Sequence, residues 1–258
     1  MPTLSIQHDE EAVAAAAAER VTSLVEQAVR TRGNALVCLT GGGTPKRLYE
    51  LLAGDRYPWR SRVDWTSVHL FWGDERHVPP DHADSNFRMA SRAFVAQVPV
   101  PPGQVHRMRG ECHDPVDAAC DYEMTLRTGF RAAGRTDFVF DVMLLGLGTD
   151  AHIASLFPGS TLLSLASQSS APTPRVAAVW ADHLKAWRVT LTPPAILEAR
   201  TLVMLVAGGD KAAAVEAALE CPLDVNRWPV QLLRAAGTRV EWIIDAAAAV
   251  RLRAGRPS

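Results

Sequence analysis

Ala35-Leu-Val-Cys-Leu-Thr-Gly-Gly-Gly-Thr-Pro-Lys-Arg-Leu-Tyr49 is the stretch from which the fold can be read. Ala35–Thr40 is an apolar run of strand length, and three glycines then let the chain turn tightly with backbone N–H groups exposed. Thr44 can cap the helix that follows, and Pro45 suits its first position. Upstream, Val13, Ala17, Val21, Leu24, Val25 and Ala28 recur at spacings of three and four, which predicts a helix over Asp9–Arg32. Gly33 and Asn34 tolerate the left-handed conformation and end it. A helix covering a buried strand that turns into a second helix points to a layered α/β sheet.

Working outward, the same pattern of apolar strand followed by loop or helix returns at Ser67–Trp72, Phe140–Leu147, Arg188–Leu191, Leu202–Ala207 and Val240–Ile244, with helical stretches at Pro115–Ala133 and Asp210–Leu219. Strands without clean alternation, separated by helices, imply a mainly parallel sheet covered on both faces. The expected architecture is a three-layer α/β/α, Rossmann-like fold, with 1–258 as a single domain. Val98–Gly103 and Ser164–Pro174 read as surface loops, neither long nor biased enough to be a linker. There is no internal repeat, and the alanine runs at Ala14–Ala18 and Ala246–Ala249 are plain helix formers.

Composition narrows the function. The 258 residues carry 27 basic and 28 acidic side chains, a net charge of −1, so no overall field draws the chain to nucleic acid or an anionic membrane. An anionic ligand must be met locally. Met1–Gln7 lacks a basic segment leading into an apolar run, and nothing approaches the ~20 apolar residues of a membrane span, so a cytoplasmic protein is expected. Cys38, Cys112, Cys120 and Cys221 lack C-x-x-C spacing, which suggests reduced thiols packed as small apolar residues rather than a zinc site or disulfide framework.

Four segments carry chemistry. The first is the glycine turn itself, where Gly42, Gly43 and Thr44 open a helix whose N–H groups and dipole favour phosphate, although it is neither of the usual nucleotide-binding glycine patterns. The second is Phe71-Trp-Gly-Asp-Glu-Arg-His-Val-Pro79, followed by Asp84-Ser-Asn-Phe-Arg88. Ligands of open α/β sheets lie beyond the carboxyl ends of strands, which is where this places Asp74, Glu75 and Arg76. Glu75 serves equally well as part of an ion cluster tying down the loop. His77, Asp81, His82 and Asp84 are too loosely spaced for a metal site, and none is expected. The third is Phe140-Asp-Val-Met-Leu-Leu-Gly-Leu-Gly-Thr-Asp-Ala-His-Ile-Ala-Ser-Leu-Phe-Pro158, in which a strand delivers Asp150 and His152 from a glycine-rich exit turn. Histidine is the side chain best suited to proton transfer near neutral pH. The fourth comprises Trp187-Arg-Val-Thr-Leu-Thr192 and Val206-Ala-Gly-Gly-Asp-Lys-Ala-Ala213, carrying Arg188 and Lys211, the latter a point charge in the first turn of another helix.

On these residues the chain resembles the 6-phosphogluconolactonases, in the superfamily that also contains the glucosamine-6-phosphate deaminases. The resemblance runs through Thr40–Pro45, Gly73–Pro79, Ser85 with Asn86, the 146–159 segment, Arg188–Thr192 and Gly209–Ala212, and so covers nearly the whole chain. It implies hydrolysis of 6-phospho-D-glucono-1,5-lactone, the second step of the oxidative pentose phosphate pathway, with no cofactor. It further implies His152 as general base, Asp150 as its orienting neighbour, and Gly42, Gly43, Thr44, Asp74, Arg76, Asn86, Arg188 and Lys211 as contacts to phosphate and sugar. The partner would be a small phosphorylated sugar lactone, with the oligomeric state open between monomer and weak dimer. One position departs from the family pattern: Ala151 stands where glycine is usual between aspartate and histidine. The reading favoured here is that the backbone at Ala151 lies in a region open to alanine.

Two alternatives differ in what they require. A deaminase-type isomerase has an asparagine-glutamate-proline sequence where this chain has Leu156-Phe157-Pro158, so the acid that would pair with histidine in ring opening is replaced by Phe157. A non-catalytic sugar-phosphate sensor would be accompanied by a DNA-binding segment, and no basic stripe or helix-turn-helix extension is apparent.

Overall fold

A computed structural model describes residues 2–167 and 173–253. Its strands are β1 (Thr3–Gln7), β2 (Ala35–Leu39), β3 (Val68–Trp72), β4 (Asp74–Arg76), β5 (Val105–His106), β6 (Val142–Leu145), β7 (Val176–Ala181), β8 (Ala186–Leu191), β9 (Thr201–Val206) and β10 (Val240–Asp245). Its α-helices are α1 (Glu10–Arg32), α2 (Gly43–Ala53), α3 (Trp59–Arg62), α4 (Asn86–Ala93), α5 (Pro115–Ala132), α6 (Pro193–Leu197), α7 (Ala212–Leu219) and α8 (Ala246–Ala249).

Among the described residues seven strands form a parallel sheet in the order β1-β10-β9-β6-β2-β3-β5. Its inner strands are buried along their whole length, which is why they read as apolar runs rather than alternating ones. Helices cover both faces. Val21 and Val25 of α1 meet Val37, Leu39, Leu70 and Leu144 on one side, while Phe130 of α5 meets Phe71 on the other. Leu70 and Phe71 are consecutive in β3, so the alternation of side chains along one strand serves two helical layers.

The α1 boundaries follow from its ends. Asp9 accepts a hydrogen bond from the Ala12 N–H, and Gly33 closes the helix at φ 81. At the other pole of the sheet two tyrosines do a matching job. The Tyr49 hydroxyl accepts from the Thr40 N–H and donates to the Thr40 carbonyl, and Tyr122 makes the same pair of bonds to Trp72. Each satisfies the peptide at the point where a strand leaves the sheet. Neither tyrosine is conspicuous in the sequence.

Two departures from the sequence reading matter. Arg188–Leu191 is not a strand of the main sheet: β8 pairs antiparallel with β4 and β7 in a second, three-stranded sheet. Trp187 is exposed and Arg188 half-buried, but Val189, Thr190 and Leu191 are all buried, so its second half reads like a parallel core strand although both neighbours run antiparallel. The expected loop Ser164–Pro174 begins inside a 3₁₀ turn, Thr161–Ser167, and its positions 168–172 lie outside the described residues. The cysteines are free, with Cys38 buried but Cys120 exposed. No described helix is long and apolar enough to cross a membrane.

Candidate active site

Strand β2 pairs with β3 on one side and β6 on the other, so the chain leaves these neighbouring strands in opposite directions along the sheet. Such a switch point opens a crevice at the carboxyl ends of the strands. A cavity of about 240 Å³ lies there, lined by the 40–45 turn, Asp74, Arg76, Asn86, Gly146, His152 and Lys211 among others. Eight of the ten residues expected at the site from sequence therefore line this cavity. Asp150 and Arg188 stand just behind, each against a lining residue.

The glycine turn lines one end of the cavity with backbone. Gly42 takes φ 112 and ψ 168, a conformation that excludes a side chain, and α2 starts at the next residue. Thr44 does not cap this helix: its hydroxyl reaches Glu10, and Gly42 is the capping residue with no side-chain bond to the first turn. The helix thus begins two residues before the position expected from Pro45, because the glycine turn alone reverses the chain. The N–H groups of Gly43 and Thr44 are left unclaimed by the helix, with the positive end of its dipole behind them. Lys211 joins them from a 3₁₀ turn leading into α7, its ammonium 3.5 Å from Asp210 and a quarter exposed.

Arg76 and Arg188 face each other across the antiparallel β4–β8 pair. Among the described residues neither makes an ion pair. Arg76 donates to the Asp84 carbonyl while its Nε is buried without a partner, and Arg188 donates to the Trp187 carbonyl. Burial, followed by the charge of Arg76, pushes the Arg188 guanidinium below its usual range. Two adjacent guanidiniums without a carboxylate partner are a site that an anion would stabilise.

The exit turn of β6 carries the His152–Asp150 pair. His152 Nδ1 lies 2.6 Å from Asp150 Oδ1, which also accepts the His152 backbone N–H at 3.2 Å. Burial pushes the Asp150 carboxyl up, but the hydrogen bond and charge of His152 outweigh it and hold the group down at about 2. An ionised carboxylate only accepts, so the proton of neutral His152 sits on Nδ1 and the Nε2 lone pair is free. Gly148 makes room for the pair: a Cβ there would lie 2.0 Å from His152 Nδ1 and 2.5 Å from Asp150 Oδ1. Phe157 packs against the other side of the imidazole at 4.8 Å between ring centres.

The expectation for Ala151 is corrected. Its φ is 66, in the left-handed region, and its side chain is fully buried. The Ala151 N–H closes a turn onto the Gly148 carbonyl at 3.0 Å, and the chain then doubles back so that the Gly148 N–H donates to the His152 carbonyl at 2.9 Å. The alanine therefore carries roughly 1–2 kcal/mol of backbone strain.

Glu75 resolves to the structural of its two roles. Burial pushes its carboxyl up, yet it accepts from the backbone N–H groups of Phe87, Asn86 and Arg76 and from the Ser85 hydroxyl, and so clamps the start of α4. That clamp places Asn86, whose side-chain amide donates to the Asp74 carbonyl and, at 3.3 Å, to its carboxylate. Gly41 must be glycine because Asn86 Oδ1 would lie 2.0 Å from its Cβ. Sequence reasoning missed Ser155, which is buried and donates to Asp74 Oδ2 at 2.7 Å, because a lone serine after a histidine carries no recognisable spacing. His77 binds the Cys112 carbonyl and His82 stands beside Asp84, and among the described residues no three potential metal ligands converge.

Comparison with known proteins places the chain by family and fold. Residues 8–242 match the family described as glucosamine-6-phosphate isomerases/6-phosphogluconolactonase. The chain is 36% identical over 240 residues to a 6-phosphogluconolactonase of Synechocystis, covering 90% of this chain and 91% of that one. A solved 6-phosphogluconolactonase from Trypanosoma cruzi superposes with a TM-score of 0.81 at 28% identity, over 98% of this chain and 97% of the other. A monomeric glucosamine-6-phosphate deaminase has the same fold, with a TM-score of 0.78 at 20% identity over 96% of this chain and 98% of the other. The chain belongs to the glucosamine-6-phosphate isomerase/6-phosphogluconolactonase family.

Proposed function

We propose that this chain hydrolyses 6-phospho-D-glucono-1,5-lactone to 6-phospho-D-gluconate, the second step of the oxidative pentose phosphate pathway. One observation carries the reading: the His152–Asp150 pair opens on the same cavity as an uncapped helix N-terminus and Lys211. The phosphate fits the Gly43 and Thr44 N–H groups beside Lys211, with Arg76 and Arg188 adding positive charge for substrate. At the other end, His152 Nε2 takes a proton from water as the water oxygen bonds to the lactone carbonyl carbon. The carbonyl electron pair moves onto oxygen. When it returns, the bond to the ring oxygen breaks, and His152 gives its proton to that oxygen, which becomes the C5 hydroxyl. Asp150 keeps the imidazole in one tautomer and stabilises the imidazolium between the two steps. The carboxylic acid product then ionises in water. In this reading the chain works as one cytosolic domain on a small molecule, and the chemistry requires no cofactor.

The packing of Phe157 on His152 favours this reaction over deamination, since an apolar ring occupies the place where ring opening would need a carboxylate. The test uses freshly prepared lactone, measuring acid release against the spontaneous rate, with glucosamine 6-phosphate as parallel substrate. Acid release well above background and no ammonia from the amino sugar is the expected pattern. Ammonia release without lactone hydrolysis would overturn the proposal.

A further inference from the structure

We infer that Ser155 is a positioning residue that sets the Asp74 carboxylate for a sugar hydroxyl, and so distinguishes the polyol end of the cavity from the phosphate end. The inference rests on the lactonase reading above. Among the described residues lining the cavity, Asp74 is the carboxylate, whereas Lys211, Arg76 and the N–H groups of the glycine turn are all donors or cations. A phosphate is repelled by Asp74, but a hydroxyl donates to it.

The carboxylate is almost fully buried, and its orientation is set by few groups. Asp74 Oδ2 accepts the Ser155 hydroxyl at 2.7 Å, while Oδ1 has the long contact of 3.3 Å to the Asn86 amide. Oδ1 therefore retains acceptor capacity. Ser155 is itself 1% exposed, and its N–H donates to the Thr190 hydroxyl at 3.2 Å. Thr190 is the register partner of Asp74 in the β4–β8 pair and lies two residues from Arg188. One serine thus ties the turn that carries His152 both to the Asp74 side chain and to the strand that carries Arg188. Removing the hydroxyl frees the carboxylate to rotate and leaves Oδ2 buried without its donor, and neither change touches the α2 N-terminus or Lys211.

The experiment compares wild type with Ser155→Ala and Ser155→Thr by titration calorimetry, using 6-phosphogluconate and inorganic phosphate as separate probes, alongside lactone kinetics. For Ser155→Ala the expected result is about 10-fold weaker binding of 6-phosphogluconate, unchanged binding of inorganic phosphate, a KM raised by a similar factor and a kcat within about threefold, in line with the loss of one hydrogen bond to a charged group. Ser155→Thr keeps the hydroxyl and should recover most of the affinity. In an Asp74→Ala background, Ser155→Ala should add little. A general loosening of the site would weaken both probes alike or lower kcat at constant KM, and either result would overturn the inference, as would additive effects of the two alanine variants. A wild type that binds 6-phosphogluconate but fails to hydrolyse the lactone would sink the lactonase reading alone, since the binding arm still decides the role of Ser155. A wild type that does not bind 6-phosphogluconate would overturn both.

Discussion

Ala151 shows how a single residue can be legible in identity and illegible in consequence. The sequence marks it as the departure from the family glycine, but the sign of its φ depends on how the 148–152 turn closes, which no local pattern encodes. The His152–Asp150 hydrogen bond forms despite the strain, so the cost falls on stability rather than on the placement of His152. Ala151→Gly should relieve roughly 1–2 kcal/mol of strain against the ~0.5–1 kcal/mol that glycine loses in chain entropy, for a net gain of up to about 1.5 kcal/mol with little change in turnover. Denaturant unfolding checks it, and a clear loss of stability would contradict the assigned conformation. The cations test the other end of the cavity. Lys211→Ala and Arg188→Ala should each raise KM by roughly tenfold or more, since a charged hydrogen bond to phosphate contributes about 1.5–3 kcal/mol. Unchanged Michaelis constants in both would move the phosphate elsewhere. His152, Asp150 and the glycine turn could be read from sequence because chemistry demands those residue types at strand exits. Ser155 and Tyr49 could not, because their roles come from neighbours distant in the chain.

At the scale of elements, apolar periodicity found α1, α5 and the inner strands within two residues of their ends, β6 being the shortest against its Phe140–Leu147 run. It failed where an element is held by partners instead of by its own pattern. Strand β4 is three residues of charged sequence, Asp74–Arg76, and exists because β8 pairs with it. Strand β1 is mostly exposed at the edge of the sheet, so its sequence lacks the apolar run that marks a core strand. Helix α1 also carries one internal flaw. Thr22 is fully buried, and among the described residues its hydroxyl has no hydrogen-bond partner. Valine has nearly the same shape and similar helix propensity, and it removes a buried polar group that costs about 1–3 kcal/mol when unpaired. Thr22→Val should therefore raise stability by about 1 kcal/mol with activity unchanged, readable as a shift in the denaturation midpoint. A destabilised variant would mean that the hydroxyl has a role the packing does not reveal.

For the molecule as a whole, the class of fold was legible because a parallel sheet buried on both faces leaves a distinctive run of apolar strands between helices, whereas the second sheet was not, since the three-residue β4 joins the consecutive β7 and β8 from a distant part of the chain. Global stability should respond to acid through one pair on the α5 face of the main sheet, a buried His69 and a half-buried His106. His69 Nδ1 and His106 Nε2 lie 3.1 Å apart, with His106 stacked on Phe71. Burial, with His69 as the next cause, pushes His106 down to about 4, and burial likewise lowers His69. Both titrate lower in the folded than in the unfolded chain, so the unfolded state binds more protons in acid. Stability from these groups is complete above about pH 6.5 and declines as pH falls towards 4. The melting temperature should drop over that interval, and His106→Phe should flatten the slope; an unaltered slope would assign acid sensitivity elsewhere. Catalysis tests the account most directly. Initial rates of acid release from freshly prepared 6-phosphogluconolactone, wild type against His152→Ala at equal concentration, should show a loss of ~10²–10⁴-fold in the catalysed rate, with the folded state and phosphate binding retained. A His152→Ala variant that turns over the lactone like the wild type would contradict the central claim.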